Sequence, residues 1–361
     1  MFAYILLLLI PFFVEAIEKT LQPYPNIDFV SRRKNASIII FFIIFFVMLA
    51  LRSTSCGTDV RNYEEFFYFS SKAEFSDIFK SKYIEPLYYA LNWGVVRIYP
   101  DFRIILVFSA LLSTVFLGWF YKKESEHAPL TILLFVTNAC FTITFSGLRQ
   151  AIAMQFIIPA YYLVKQKKLI PFILVVVLAT YVHISALIML LLYPVFYMQI
   201  KNKHLVVILS VIALIFVFRM QLFTALFPFV GDKYSKYANV GDTGGYTMYF
   251  FFIIWLVISF IYPDEKKLNF ETRGLRNIIV LMTIIQGFAS IHTLAMRLNY
   301  YFIMLFPIAI PKILNWPKDG NENIAQLTKW TTVIFLLFFF FYTIYSNMGI
   351  KAIYPYRAYW E

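Results

Sequence analysis

Cysteine is scarce in this 361-residue sequence, and the two that are present, Cys56 and Cys140, belong to no metal-binding or redox motif. Cys140 falls within an apolar run, so a disulfide with Cys56 is not expected. The sequence also lacks the GxxxxGK(S/T) and GxGxxG motifs that bind nucleotide phosphates. These absences argue against an ATP-driven pump and a dinucleotide-dependent enzyme. We expect no cofactor and no metal site.

Charged residues are also scarce, at 14% of the chain, against about 25% in a typical soluble domain. Hydrophobic residues make up 61%, and the mean hydropathy is +0.70. No polar stretch is long enough to form a core of its own. We therefore predict an all-α polytopic integral membrane protein with a single transmembrane domain, 1–361. Its first apolar segment lacks a basic n-region and a cleavage site, so we interpret it as a retained helix.

Apolar runs separated by charged residues predict about 12 transmembrane helices, several of them shorter than the roughly 20 residues of a full span. The stretch YIEPLYYALNWGVVRIYP, 83–100, fits either an ordinary crossing or a short re-entrant or interfacial helix. The basic residues favour the second interpretation, as described next. The predicted spans are 2–17, 37–51, 102–121, 128–146, 148–164, 169–182, 184–199, 204–219, 247–262, 275–291, 297–314 and 329–347.

Lysine and arginine are distributed unequally between the two sides. If 83–100 does not cross, the lysine-rich segments fall together on one side, which the positive-inside rule assigns to the cytoplasm. The net charge of +12 then reflects topology rather than nucleic-acid binding. Segments 52–101 and 219–247 become external loops, the first with amphipathic or re-entrant helices. The basic residues on the cytoplasmic side are Lys19, Arg32, Arg33, Lys34, Lys122, Lys123, Lys165, Lys167, Lys168, Lys201, Lys203, Lys266, Lys267, Lys312 and Lys318.

The external side carries arginines instead. A planar guanidinium can bind phosphate or carboxylate through two hydrogen bonds, whereas topology requires only positive charge. We therefore predict that this face binds an anion. Its arginines are Arg52, Arg61, Arg97, Arg103, Arg149, Arg219, Arg297 and Arg357.

The stretch FSGLRQAIAMQF, 145–156, places Arg149 and Gln150 within a nearly unbroken apolar region. A charge in the bilayer core costs from about 2.5 kcal/mol upward and by default marks a functional site. Gly147 permits close backbone approach, and the N–H groups of a helix start add positive potential. We predict that Arg149 binds an anion. The structural alternative is an arginine that snorkels or pairs with an acid.

A second candidate is His183, in LATYVHISALIML, which is predicted to carry a proton or donate to an anion at an external turn. Ser185 would orient it or bind a sugar hydroxyl. The structural alternative for His183 is a buried neutral imidazole bonded to a carbonyl group.

The segment GTDVRNYEEFF carries Asp59, Arg61 and Tyr63, which suit a carbohydrate surface because carboxylates accept sugar hydroxyls and tyrosines stack on sugar rings. The alternative is a solvated amphipathic helix. Arg297, in HTLAMRLNYYF, begins another external helix. It either joins Arg149 around one anion or pairs with Glu85.

Several short motifs follow one another in a suggestive order. Arg52 and GTDxxxY come after the second span, followed by EPLYYAL, GLRQAIA at a helix start, a lysine-rich loop, HxSA and finally MRLxYYF. In this order they resemble the EpsG family of polysaccharide polymerases, which is related in role to Wzy-type O-antigen polymerases. The resemblance covers most of the chain. Segment 219–247 has no counterpart and is where a substrate-specific loop is expected.

The resemblance implies a membrane glycosyltransferase that joins undecaprenyl-diphosphate-linked repeat units into O-antigen or capsule-like polysaccharide. Its active site would face the periplasm from the bacterial inner membrane, and Arg149 and His183 would match the family's arginine and histidine. The implied partners are the lipid-linked oligosaccharide, membrane lipids and a chain-length regulator protein. Arginines would stabilise the charge that develops on the leaving diphosphate, with Arg and His taking the place of a metal cation. His183, Asp59 and Glu85 are candidates for the general base.

Other functions remain open at this point. An O-antigen ligase would use the same donor, and the motif order favours the polymerase over it. An O-acetyltransferase would draw on a cytoplasmic acyl donor, which the external position of His183 disfavours. A flippase or transporter commonly shows repeated halves, and no such repeat is found in the sequence.

Overall fold

Apolar runs in a membrane chain fold as helices because lipid offers no hydrogen-bond partners for an open backbone. In a computed structural model, which describes residues 2–21, 36–226, 245–314, 322–346 and 353–361, every regular element among those residues is a helix. The α-helices are Phe2–Leu21 (α1), Ala36–Ala50 (α2), Val60–Ser71 (α3), Asp77–Lys80 (α4), Pro86–Ile98 (α5), Arg103–Glu124 (α6), Ala128–Val136 (α7), Ala139–Ser146 (α8), Leu148–Met154 (α9), Ile157–Lys165 (α10), Leu169–Thr180 (α11), Leu192–Tyr197 (α12), Leu205–Val217 (α13), Arg219–Leu226 (α14), Tyr246–Ile261 (α15), Phe270–Ala289 (α16), Thr293–Ile303 (α17), Phe306–Leu314 (α18) and Glu322–Ser346 (α19). Segments Ile184–Leu191, Asn202–His204 and Glu265–Lys267 are 3₁₀ helices.

The all-helical, apolar character of the sequence prediction is confirmed, but the number of spans is not. By length and composition, one helix in the described ranges, α6, could cross a membrane alone. Two bent pairs could each form one further span, α7 with α8 at 58° and Asn202–Val217 with Arg219–Ala225 at 73°. The other apolar helices are shorter. About 12 spans therefore stays a prediction.

Several predicted spans are broken into two helices. The run 128–146 bends at Asn138, whose side chain accepts a hydrogen bond from Cys140 N (2.8 Å) and so begins a new helix. The run 148–164 is divided at 155–156, and 297–314 is divided at 304–305. The run 184–199 starts as a 3₁₀ helix.

The predicted external segment 52–101 contains three helices. The last of them, α5, lies where a re-entrant or interfacial helix was expected, near 83–100. Arg97 Nη2 donates to Ala73 O (2.6 Å) and Trp93 Nε1 donates to the same oxygen (3.1 Å), so α5 is tied to the end of α3. Whether α5 crosses the membrane remains a prediction. Of the other predicted external segment, 219–247, residues 227–244 lie outside the described ranges.

The loop before α3 is attached to the end of α8. Gly57 has a φ of +114°, and a Cβ atom there would lie 2.2 Å from Phe145 O, so only glycine fits. Thr58 N donates to Ser146 Oγ (3.1 Å). The GTD and SGLRQ motifs, far apart in sequence, are therefore neighbours.

Residues 353–361 pack against the residues that lead into this loop. Ser53 N donates to Arg357 O (2.9 Å), and Tyr359 N donates to Leu51 O (2.9 Å). Tyr356 adds a hydroxyl hydrogen bond to Met48 O (3.0 Å). Residues 353–361 thus fix the end of α2 and the start of the GTD loop.

A largely buried group of charges around Glu124, here called the lysine cluster, joins α6, α10, α16 and α18. It consists of Glu124, Glu271, Lys165 and Lys312. Lys312 Nζ bonds to both carboxylates, at 2.6 Å from Glu271 Oε1. Lys165 Nζ lies 2.8 Å from Glu271 Oε2, and the hydroxyls of two tyrosines, Tyr161 and Tyr162, donate to the same two acids.

Candidate functional site

Glu85 lies at the centre of the charged residues singled out in the sequence. It directly precedes α5, whose first position is Pro86, and its side chain is 6% exposed. Glu85 Oε2 accepts from Arg149 Nη1 (2.6 Å), and Oε1 faces His183 Nδ1 (3.3 Å). Ile184 N donates to the same Oε1 (3.3 Å). One buried carboxylate therefore binds both predicted catalytic residues; we call Glu85, Arg149 and His183 the Glu85 cluster.

Arg149 is held at the start of α9, after Gly147. Its Nη1 also donates to Tyr83 O (3.1 Å), and its Cζ lies 5.7 Å from the Tyr63 ring centroid and 5.9 Å from that of Tyr88. Aromatic faces attract a guanidinium through their quadrupole. Nε is buried without a hydrogen-bond partner, and the side chain as a whole is 19% exposed. Arg149 therefore does pair with an acid, as the structural alternative required. Its Nε nevertheless remains as a donor that the pairing with Glu85 does not use.

His183 lies at the break between α11 and the following 3₁₀ helix. Its extended backbone lets the ring turn toward Glu85. Burial lowers the pKa of His183, and the neighbouring Glu85 carboxylate partly opposes that shift. Burial therefore favours the neutral imidazole. Because Nδ1 faces a carboxylate, we assign the proton to Nδ1, which leaves Nε2 as a hydrogen-bond acceptor.

A second ion pair lies next to the cluster. Arg297 Nη2 lies 3.0 Å from Asp59 Oδ2, and their side chains are 40% and 26% exposed. Gln150 Nε2 donates to Arg297 O (2.6 Å), which ties α9 to α17 beside Arg149. Of the two alternatives given for Arg297, the structural one named Glu85 as its acid; the structure pairs Arg297 with Asp59, which the GTD loop brings to α17.

Of the remaining predicted residues, one contacts the Glu85 cluster and two have other surroundings. Tyr63 is buried beneath Arg149. Ser185 is buried and shares a hydrogen bond with Tyr301 (2.9 Å), so it joins the 3₁₀ helix to α17. Arg61 is exposed on α3, and no described contact brings it to Glu85.

Two tyrosines of the site, Tyr88 and Tyr301, were missed in the sequence. Tyr88 follows Glu85 by three positions, and Tyr301 follows Arg297 by four. Residues at these spacings share one face of a helix. The motifs EPLYYAL and MRLxYYF therefore contained the signal. Inspecting the residues one helical turn after each charged residue would have found both tyrosines.

The site as described balances its formal charges. Arg149 and Arg297 are matched by Glu85 and Asp59, with a neutral His183 between them. Among the described residues, no three His, Cys, Asp or Glu side chains come together as a metal site would require. The arrangement offers guanidinium donors beside an imidazole acceptor.

Comparison with known proteins supplies a family. A model described as the EpsG family matches residues 35–358, a range that includes every residue of the site. No curated protein and no solved structure matches the chain.

Proposed function

Because the chain belongs to the EpsG family, whose members are Wzy-like polymerases, we propose that it polymerises lipid-diphosphate-linked oligosaccharide units into a surface polysaccharide. The donor would be undecaprenyl-diphosphate-linked, and the reaction would take place at the outer face of the bacterial inner membrane. The observation that carries this proposal is the shared carboxylate: Glu85 holds an arginine through Oε2 and a histidine through Oε1. A glycosyl transfer needs these two functions side by side.

His183 would activate the acceptor. Its Nε2 accepts the proton of a sugar hydroxyl on the incoming lipid-linked unit, while Glu85 holds the Nδ1 proton and stabilises the imidazolium that forms. The hydroxyl oxygen then bonds to the anomeric carbon of the growing glycan. Of the candidate bases, Glu85 is disfavoured because Arg149, His183 and the N–H of Ile184 already surround its oxygens.

Arg149 would stabilise the leaving group. As the bond between the anomeric carbon and the diphosphate breaks, negative charge grows on the diphosphate oxygens. A donor fixed in place before the reaction stabilises that charge more in the transition state than in the ground state. Arg297, on the more exposed pair with Asp59, is the second cation within reach of the same anion.

A ligase that moves the same donor to another acceptor would need similar residues. Family membership favours the polymerase, and the two differ in their product. Arg149→Ala should lower the rate by about 10²–10³, the size of effect seen when one preorganised donor is removed. Cells carrying this variant should show glycan stopped at a single repeat unit, measured by gel electrophoresis of surface polysaccharide. A failed ligase or flippase would leave no attached repeat.

Arg149→Lys sharpens the test, because lysine keeps the charge but not the planar fork. We expect it to remain strongly impaired. The matched control is Arg103→Ala, which removes an exposed arginine paired with Asp101 and should leave chain length unchanged. A ladder of normal length in Arg149→Ala, at a normal protein level, would overturn the proposal.

A further inference from the structure

A half-open apolar cavity of about 490 Å³ adjoins the Glu85 cluster. It lies between α5, α6, α9 and α10, and the segment after α11 closes one end. Its lining is apolar apart from the hydroxyl of Tyr88 and from Gln155, whose amide nitrogen donates to Ala151 O (2.9 Å). The volume falls within the range of about 300–1,000 Å³ that is typical of ligand pockets.

Tyr88 connects the cavity to the Glu85 cluster. It lines the cavity, and its ring centroid lies 5.9 Å from Arg149 Cζ. Each residue of the cluster also lies within three positions of a lining residue in sequence: Glu85 is followed by Leu87, Arg149 by Ile152, and Val182 directly precedes His183. The end of the cavity next to Tyr88 therefore adjoins the cluster, and we call it the head of the cavity.

From that head the cavity runs along the helices. Beyond Arg149, the lining residues Ile152, Phe156 and Pro159 follow at intervals of three and four across α9 and α10, which corresponds to about 10 Å of helix length. On α6, Phe108, Leu112 and Phe116 follow one another at intervals of four and form the opposite wall. Phe116 is 48% exposed, so this wall opens to the outside of the helices.

We propose that this cavity holds the first isoprene units of the polyprenyl chain of the donor, with the diphosphate at Arg149. The inference rests on the proposed function. A long apolar channel with a guanidinium at its head matches an amphiphile whose anionic group is attached directly to a branched hydrocarbon chain. Because lipid is as apolar as the channel wall, the chain gains close packing contacts there rather than removal from water. The channel thereby orients the anomeric carbon toward His183.

The test compares two diphosphates that share a head group and differ in tail. Geranylgeranyl diphosphate carries a long isoprenoid chain, and dimethylallyl diphosphate carries a single unit. Their binding to the full chain, purified in detergent, is measured by native mass spectrometry. Ala90→Leu fills the channel from α5, whereas Gly94→Leu adds the same side chain one turn later on α5, where an added Cβ meets nothing within 4 Å.

We expect the long-chain probe to bind wild type at least about tenfold more tightly than the short one. Ala90→Leu should remove most of that difference, and Gly94→Leu should keep it. Tight long-chain binding by Ala90→Leu would contradict the proposal that the cavity holds the polyprenyl chain, without contradicting the proposed function. Equal displacement of the long-chain probe by dioleoyl phosphatidic acid would also overturn it, because the channel would then accept any lipid. Diphosphate binding that Arg149→Ala does not weaken would instead contradict the proposed function.

Discussion

The lysine cluster and the Glu85 cluster are both groups of charges built around a buried carboxylate, Glu124 in one and Glu85 in the other, and they lie at opposite ends of successive helices. Arg149 begins α9 and Lys165 ends α10; Arg297 lies near the start of α17 and Lys312 near the end of α18. In the lysine cluster, two carboxylates form ion pairs with two lysines, and two tyrosine hydroxyls donate further hydrogen bonds to the carboxylates.

The Glu85 cluster distributes its contacts differently. One carboxylate serves both an arginine and a histidine, and buried atoms remain without a hydrogen-bond partner at Arg149 Nε and Gln150 Oε1. Among the described residues of the lysine cluster, no buried side-chain nitrogen or oxygen is left in that condition. A buried polar group without a partner costs free energy, so it is retained where it serves a function. The comparison supports a structural role for the lysine cluster and agrees with the proposal that the Glu85 cluster carries the chemistry.

The largest expected effect is on folding, in the lysine cluster. Lys312→Ala leaves buried Glu124 and partly buried Glu271 with one lysine and should destabilise the protein by about 3–5 kcal/mol. Denaturant unfolding of the purified chain and its level in the membrane both report the loss. Lys203→Ala, an exposed lysine near the same end of the helices, should change neither. A stable Lys312→Ala protein with no activity would break the comparison by giving this cluster a catalytic role.

The next effect is on activity, at His183. His183→Ala should lower the rate of polymerisation by about 10²–10⁴ with a normal protein level, because it removes the base. His183→Gln keeps a hydrogen-bonding group but cannot exchange a proton near neutral pH. Polymer length and rate are followed in membranes. Full activity in the glutamine variant would limit His183 to hydrogen bonding, and normal polymer in both variants would make it a structural residue.

A smaller effect concerns pH. Burial lowers the pKa of His183, so the neutral base persists below the ordinary value of about 6.5 and activity should decline only at lower pH. Glu85 opposes that shift, so Glu85→Gln lowers the pKa further and should move the acidic limb of the activity profile to lower pH. The rate is measured across pH in wild type and variant. An unmoved limb would show that another group titrates.

The smallest perturbation tests which side each cluster faces. Lys72→Cys, after α3, and Lys168→Cys, before α11, place thiols at exposed positions near the two ends of the helices. The native thiols, Cys56 and Cys140, are buried and form the background. An impermeant thiol reagent added to the periplasmic face should label the first and spare the second. The reverse result would place the Glu85 cluster in the cytoplasm and exclude the proposed substrate side.

The sequence predicted the members of the site better than their pairing. Arg149, His183 and Glu85 are conspicuous because each is polar within an apolar run. Their shared carboxylate depends on where helices break, and a break such as the one at His183 is set by tertiary packing. Asp59 was not named as a partner for Arg297, since no local pattern indicates that Gly57 fits against Phe145 O.

Charges also shifted predicted helix boundaries. The span predicted at 275–291 begins at Phe270 instead, because Glu271 and Arg273 find partners within the protein. Arg273 Nη1 donates to Gln199 Oε1 (3.2 Å), so a charge that the prediction placed before the span lies inside the helix. Hydropathy treats a paired charge as though it were solvated, so the predicted span starts five residues later than the helix does.

The attachment of residues 353–361 to the end of α2 has a consequence for the timing of synthesis. Tyr356 and Met48 are 308 residues apart in the chain, and the loop that carries Asp59 follows directly. At about 5–20 residues per second, a ribosome needs roughly 15–60 s between these two segments. During that interval the upstream loop lacks its contacts with residues 353–361. A nascent chain therefore completes the contacts of this loop only after its downstream segment has emerged.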